Sequence, residues 1–446
     1  MKNVQFIRKV ILPVAIGLVS YQSIAQEQTP YSLEDLWQMT IENNTALQLS
    51  AGQIDVAAAK VQQVKDKGLP QIGVNAQLTR LYTLSDFLLS DSDGNVVFGL
   101  PKDHFDAQPI VASASKELFT GFGHQAEHEI ADYMLEASRY DHMQVQSDLK
   151  LGVASLYLNI IKMVQSSATV KANLDLITQK ETEVKNFLDN DLVTETDLLD
   201  VQLQRSDLEI VLLDLQNKEQ IARYKLGQLV GYAGDGLIKV DTTFHRASVS
   251  DQTNLEEGFS KEERADLLAA EHKIKAAESG IKRLKSANYP HVEVAATYIY
   301  LNPDVSKGII PESNHYLSAL NLGLSVKYSI GALYNMKGRK DEASVKLHQA
   351  NLQYDYLSQQ MESEIFEEQK NLQSSIEKER VARSAMHNAQ RNFDLSNSKF
   401  RNGLILGSDL VKSQNMLLKS QMDLIAAQID IQMVYYRLQK AKGILN

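Results

Sequence analysis

Apolar residues recur along this chain with two different periods, and the switch between them happens twice. Stepping by three and four from Leu198 meets Val201, Arg205, Leu208, Leu212, Leu215, Glu219, Ala222, Leu226 and Leu229, eight of ten positions apolar. Adding 212 to each number gives Leu410, Ser413, Leu417, Ser420, Leu424, Ala427, Ile431, Val434, Leu438 and Ala441, eight apolar and two small. Such spacing predicts coiled-coil-like helical seams. From Gln71 to Thr83, and again from His291 to Leu301, the chain turns to Val, Ile, Thr and Tyr with small or polar residues between, which predicts strands. A Gly, Asp, Ser and Pro loop follows each strand, at 85–104 and 302–314, and then a second strand, at about 105–119 and 315–330.

Prolines enforce the same division. After Pro30 they stand only at Pro70, Pro101 and Pro109 and at Pro290, Pro303 and Pro311, which leaves 110–289 and the last 135 residues free of the strongest helix breaker. The two halves repeat one unit. Asn190-Asp191-Leu192-Val193 with Asp197-Leu198 matches Asn402-Gly403-Leu404-Ile405 with Asp409-Leu410, 212 residues on. Upstream, Val61, Val64, Lys65, Pro70, Val74 and Ala76 match Ile281, Leu284, Lys285, Pro290, Val294 and Ala296 at an offset of 220.

Lys2, Arg8 and Lys9 precede an apolar run at 10–19, and Ser23-Ile24-Ala25 then offers small residues at the positions signal peptidase reads, so 1–25 reads as a secretory signal. No later stretch is apolar enough for a transmembrane helix; any membrane crossing falls to strands. The chain has no cysteine, which excludes disulfide staples, thiol metal sites and a lipid on a cysteine after the cleavage site. Its balance of 46 bases and 56 acids, net −10, argues against nucleic acid as a partner.

Each strand has some 11 to 15 residues, enough to cross the hydrocarbon layer, which takes about 9 to 11 when tilted. Strands in lipid must close into a barrel, and the smallest barrels need about eight, twice what one chain offers. A spanning barrel must therefore be shared, with eight strands from two chains or twelve from three. Tyr82, Tyr298, Tyr300, Tyr316 and Tyr328 suit an interfacial girdle. The competing reading is a periplasmic or secreted coiled-coil scaffold with a soluble sheet and no channel activity.

Ser32-Leu33-Glu34-Asp35-Leu36 with Asn43-Asn44 and Leu69-Pro70, Arg264-Ala265-Asp266-Leu267 with Tyr289-Pro290, and Tyr436-Arg437-Leu438 with Ala441-Lys442-Gly443 resemble the TolC family of outer-membrane efflux proteins over essentially the whole chain. The resemblance implies a mainly α fold with a β-barrel portion: a long helical coiled-coil barrel in the periplasm, continued by four outer-membrane strands per protomer of a homotrimer. It implies a passive, water-filled exit duct of a tripartite efflux or type I secretion system, with no enzyme activity and no cofactor. Its partners would be a periplasmic adaptor (membrane fusion) protein, an inner-membrane RND or ABC transporter, and outer-membrane lipid. Segment by segment, the resemblance divides the chain into 26–68 (N-terminal equatorial and helical), 69–119 (strands 1 and 2), 120–231 (first periplasmic helices, tip near 188–197), 232–260 (equatorial insert), 261–289 (opening helix of the second repeat), 290–330 (strands 3 and 4) and 331–446 (second periplasmic helices, tip near 400–409).

The resemblance places the resting closure at those tips. Residues 188–200 carry five acids and no base, whereas 399–412 carry Lys399, Arg401 and Lys412 against Asp409. Thr196 and Asp197 stand at the family's first constriction and Asp409 at its aspartate ring, while Ile405 and Lys412 replace an arginine latch and a second ring aspartate. The expectation is that Arg401 or Lys399 pairs with Asp191 or Asp197 of the adjacent hairpin, with Asp200 contributing to the same acidic tip. Asp191 and Gly403 are each suited to a left-handed turn residue. Three motifs carry no site. His124-Gln125-Ala126-Glu127-His128 resembles a zinc-peptidase pattern without an enzyme domain around it. Asp91-Ser92-Asp93-Gly94-Asn95 opens like a calcium loop but has Lys102 where the closing glutamate belongs. Gly121-Phe122-Gly123 reads as a strand-to-helix junction.

Overall fold

A computed structural model describes residues 30–82, 84–100, 102, 104–234, 236–243, 264–303 and 317–445. The signal-like segment, the 244–260 part of the insert, the 304–314 loop and Tyr316 lie outside them. The chain runs α1 (Leu33–Asn43), α2 (Thr45–Lys67), β1 (Gln71–Ala76), β2 (Thr79–Tyr82), β3 (Phe87–Ser90), β4 (Val96–Leu100), β5 (His104–Phe119), α3 (Gly123–Leu188), α4 (Glu195–Val230), α5 (Ala265–Lys285), β6 (His291–Pro303), β7 (Leu317–Lys327), a short α6 (Ala332–Asn335), α7 (Lys337–Arg401) and α8 (Gly407–Ala441). The duplication is visible in the helix lengths, 66 and 36 residues against 65 and 35. At 1.5 Å per residue α3 and α7 are each about 100 Å long. Their far halves form hairpins with α4 and α8, and their near halves pack against α2 and α5.

No described helix is long and apolar enough to cross a membrane. The sheet carries that capacity. β5, β6 and β7 pair in order, all antiparallel, and β1 and β2 both pair with β5 as one interrupted strand. The interruption corrects the expectation of one continuous first strand over 71–83. Gln77 N–H donates to Pro109 O (3.0 Å), so the proline's nitrogen faces the same neighbour and offers no hydrogen there. A ladder bond is lost where a residue without an N–H faces its partner. The 85–104 segment, expected as a loop, holds the β3–β4 hairpin. Asp91 turns it by accepting from the N–H groups of Asp93 and Asn95 (2.9 and 2.8 Å), an Asx turn between β-forming residues.

Register sorts the sheet into two unlike faces. Ile72, Val74 and Ala76 of β1 stand opposite Ala114, Ala112 and Ile110 of β5; these adjoin Ala296, Tyr298 and Tyr300 of β6, which with Val292 and Val294 adjoin Leu320, Leu322, Leu324 and Val326 of β7. The other face is mostly polar or small, with Gln71, Gly73, Asn75, Ser113, Ser115, Glu117, Glu293, Thr297, Asn321, Ser325 and Lys327 beside Val111, Ala295, Ile299 and Ala319, while Lys116 stands on the apolar side opposite Val294. The apolar face is bare in the single chain: Ile72, Leu322 and Leu324 are 79%, 73% and 66% exposed. Apolar and polar residues alternating on exposed strands are the pattern of a membrane barrel with a wet interior.

Where sheet becomes helix, packing is close enough to demand glycine. Gly121 (φ 62°) would place a Cβ 2.4 Å from Ser286 O, and Phe122, also left-handed at φ 67°, stacks edge-on against Phe119 and Tyr289 (5.3 and 5.7 Å between centroids). Halfway along the shaft, a collar joins Tyr31 to the insert by Tyr31 N–H to Lys239 O (3.0 Å) and Asp241 N–H to Tyr31 O (2.9 Å), over a core of Leu36, Ile160, Leu226 and Ile238.

The repeat also explains two motif residues. Asn44 caps α2 and donates from Nδ2 to Leu229 O at the end of α4 (2.6 Å). Arg264, 220 residues on, precedes α5 and donates from Nη1 to Ala441 O at the end of α8 (2.9 Å). Leu229 and Ala441 are themselves 212 apart. Arg264 is 7% exposed, forks onto Asp266 (2.7 and 3.0 Å) and reaches Glu364 on α7 (3.0 Å). Burial pushes the Asp266 carboxyl upward, but the Arg264 guanidinium outweighs it and holds the group below the ordinary carboxylate range. Arg264→Ala strands Asp266 and the Ala441 carbonyl. We expect it to cost about 3–5 kcal/mol, read as a lower denaturation midpoint, and Arg264→Lys to recover less than half, because an ammonium cannot replace the two-pronged contact.

Candidate functional site: the hairpin tips

Both tips end in the same device. Asp191 N–H bonds to Leu188 O and Leu192 N–H to Phe187 O (both 2.9 Å); Gly403 N–H bonds to Phe400 O and Leu404 N–H to Lys399 O (both 2.9 Å). Asp191 (φ 58°) and Gly403 (φ 67°) supply the left-handed residue each closure needs. Below the turns, Val184, Val201, Leu208, Phe393, Phe400, Leu410 and Leu417 form a shared core, so the two hairpins of one chain are packed together down to their ends.

The helices that leave the turns are capped differently. α4 has a capping box: Thr194 Oγ1 accepts from Asp197 N–H (3.3 Å) while Asp197 Oδ2 accepts from the Thr194 N–H and hydroxyl (3.0 and 2.7 Å). At the matching place before α8 stands Leu406, which has no oxygen to offer. The missing cap comes from the other hairpin. Asp197 Oδ1 accepts the N–H of Gly407, the first residue of α8, at 2.9 Å. A Cβ on Gly407 would sit 2.8 Å from that oxygen, so a larger residue there would push the carboxylate away. One carboxylate thus closes two helix N-termini, where partial positive charge gathers. Asp197 is 6% exposed. Burial raises its pKa, and the hydrogen bonds from Thr194 and Gly407 more than offset that, leaving it below the ordinary value.

The remaining predicted tip residues spread over the surface. Arg401 Nε pairs with Glu183 Oε1 on α3 (3.2 Å), which also holds the buried Lys180 (2.5 Å). Within the chain Arg401 therefore meets Glu183 rather than Asp191 or Asp197; the Asp197 carboxylate is turned inward as a cap. Lys399, Thr196, Asp191 and Asp409 are exposed. Asp200 is half-buried and shares a groove with Lys412, Met416 and Lys419 on α8. Higher up, Gln204 Oε1 accepts from Asn415 Nδ2 (2.8 Å). The inward turn of Asp197 was missed in the sequence, although Leu406 in place of a capping residue was the signal for it.

The tyrosines do not form one ring. Tyr298 stands opposite Leu320, next to Tyr300, and Tyr328 lies just past β7; eight residues separate the levels of Leu320 and Tyr328, about 26 Å along the strand. These bracket the apolar band. Tyr82 pairs with His104, six residues beyond Ile110, the partner of Tyr300, and so lies about 20 Å further from the helices. Among the described residues no group of three or more His, Cys, Asp or Glu could hold a metal. Glu127 is paired with Lys67 (2.6 Å) and His128 with Asp132 (2.7 Å).

A sheet that is apolar on one bare face and polar on the other, set on a shaft of about 100 Å, defines a membrane-inserted conduit protein. The sequence profile of the outer membrane efflux protein family matches residues 36–232 and 260–443, and the chain belongs to that family. It is an outer-membrane efflux channel that extends into the periplasm, a transport protein rather than an enzyme. It is 23% identical to the pyoverdine export outer membrane protein OpmQ of Pseudomonas aeruginosa over 421 residues, 92% of this chain and 84% of OpmQ. Among solved structures it resembles CusC (TM-score 0.78, 16% identity, 92% of each chain). It also resembles VceC of Vibrio cholerae (TM-score 0.75, 18% identity, 92% of this chain and 96% of VceC).

Asp197→Ala orphans donors on two helices and is expected to cost the tips about 2–3 kcal/mol, seen as faster amide exchange at both 194–198 and 407–410. Leu406→Thr, which rebuilds a box with Asp409, should restore protection at 407–410 alone. Because the folded pKa of Asp197 is depressed, its contribution is complete at neutral pH and is lost as the pH falls below about 4 and through the folded value. Tip exchange should accelerate there and not between pH 6 and 8.

Proposed function

We propose that three copies of this chain close a twelve-stranded barrel in the outer membrane and continue it as a twelve-helix tunnel, forming a passive duct that is shut at its hairpin tips until a partner opens them. The observation that carries this reading is the sheet with two open edges. β1 and β2 on one side and β7 on the other have no further partner among the described residues. Unpaired amides are not tolerated in hydrocarbon, so copies must join edge to edge. Four strands per chain make three copies the smallest closed set with a water-filled bore. Tyr298, Tyr300 and Tyr328 then lie at the margins of the lipid-facing band, as interfacial aromatics do.

The tips are where a periplasmic adaptor and an inner-membrane RND or ABC transporter would meet the duct. Within each chain Asp197 ties the hairpins into one unit, so opening would move them together or break the tie. Efflux rather than protein secretion is supported by the relative named for pyoverdine export. Acidic residues outnumber basic ones, which favours cations in the bore by field alone.

Detergent-solubilised protein should have three times the mass of the processed chain by light scattering; a monomer that stays soluble without detergent would overturn the shared barrel. In planar bilayers the wild-type channel should conduct weakly and Asp197→Lys should raise single-channel conductance several-fold. Equal conductance would remove the tips as the closure.

A further inference from the structure

The duplication allows the contact between hairpins inside one chain to be carried over to the contact between chains. In a closed ring of six hairpins, α8 of one chain meets α4 of its own chain on one side, and α8 must also lie beside α4 of the next chain. Positions 212 apart are structurally equivalent, as the matched turns and helices show. Each contact seen inside the chain therefore has a counterpart between chains, found by exchanging the two hairpins. Asp197 on Gly407 N–H becomes Asp409 on Glu195 N–H. Gln204 against Asn415 becomes Met416 against Leu203. Asp200 in one groove with Lys412 and Lys419 becomes Lys412 in one groove with Asp200 and Asp207.

Two properties of the sequence make these counterparts a fit. The first is charge: a carboxylate before two ammonium groups turns into an ammonium before two carboxylates, so complementarity survives the exchange. Asp200 and Lys412 are 212 apart, so that pair keeps its opposite charges under any exchange; the independent agreement is Asp207, an acid where the counterpart of Lys419 is called for, and a like charge there would oppose assembly. The second is polarity. Inside the chain the contact is an amide pair whose Gln204 is 7% exposed, whereas the exchanged pair is apolar and bare, with Met416 53% and Leu203 64% exposed. Leu199, one turn nearer the tip than Leu203, is 51% exposed as well. Large apolar side chains left open on a helix beside matching charges mark a surface that another chain covers.

We propose that a second copy of this chain docks the tip of its α4 on α8 in this register, with Met416 covering the neighbour's Leu203, Lys412 between the neighbour's Asp200 and Asp207, and Asp409 accepting from the neighbour's Glu195 N–H. The inference rests on the trimeric reading above and adds the residues that join the copies at the periplasmic end. The chain's lack of cysteine makes the test clean, since introduced thiols meet no native ones. Full-length chains carrying Leu203→Cys and Met416→Cys on separate copies are coexpressed and oxidised in membranes. The expected result is a reducible band at twice the chain mass, strongly reduced when Lys412→Asp is added to both copies and absent when Leu213→Cys, nearly three turns higher, replaces Leu203→Cys. No reducible dimer from a protein that still purifies as a trimer would overturn this register and leave the trimer standing. A monomer in detergent would overturn both.

Discussion

The structure depends on the rule that backbone amides cannot be left unpaired in hydrocarbon. One chain supplies a four-strand sheet with a bare apolar face and two open edges, and neither feature is stable alone in water or in lipid. Everything else can be read as a consequence. The long helices must pick up where strands end, so the junction at Gly121-Phe122-Gly123 packs backbone against Ser286 more closely than any side chain at Gly121 would allow. Around the mid-shaft, carbonyl-directed donors, Asn44 and Arg264, tie the ends of α4 and α8 to the neighbouring helices at matching places in the two halves.

Duplication gave the molecule near-symmetry, and the hairpin tips depart from it. Thr194 caps its own helix, whereas Leu406 cannot, and Asp197 crosses from one hairpin to the other to make good the loss. A polar, hydrogen-bonded pair inside the chain corresponds to an apolar pair on its surface. Asp200 has Lys412 as its counterpart. In the ring proposed above, alternate contacts lie within and between chains, the first formed on folding and the second only on assembly, which gives the two halves a reason to differ at these positions.

Much of this was legible in the sequence. The periods of apolar residues, the proline-free tracts and the 212-residue offset gave the helices, the strands and the repeat, since periodicity and breakers act locally. Where the sequence reading erred, pairing with another segment, near or distant along the chain, decided the outcome. The first strand breaks because Pro109 faces it across the ladder, and the 85–104 segment is a hairpin because Phe87–Ser90 and Val96–Leu100 find each other. Arg401 was expected to seek an acidic tip residue but meets Glu183, two turns back along α3.

By itself the sequence determined which segments are helix or strand, that the unit is doubled, and that four strands are too few to close a barrel, because those follow from period, composition and count. Only the tertiary structure decided the register that gathers apolar side chains on one face of the sheet, and the use of Asp197 as a cap for two helices. Both are set by which backbone groups come within hydrogen-bonding distance of one another, and that distance is a property of packing rather than of order along the chain.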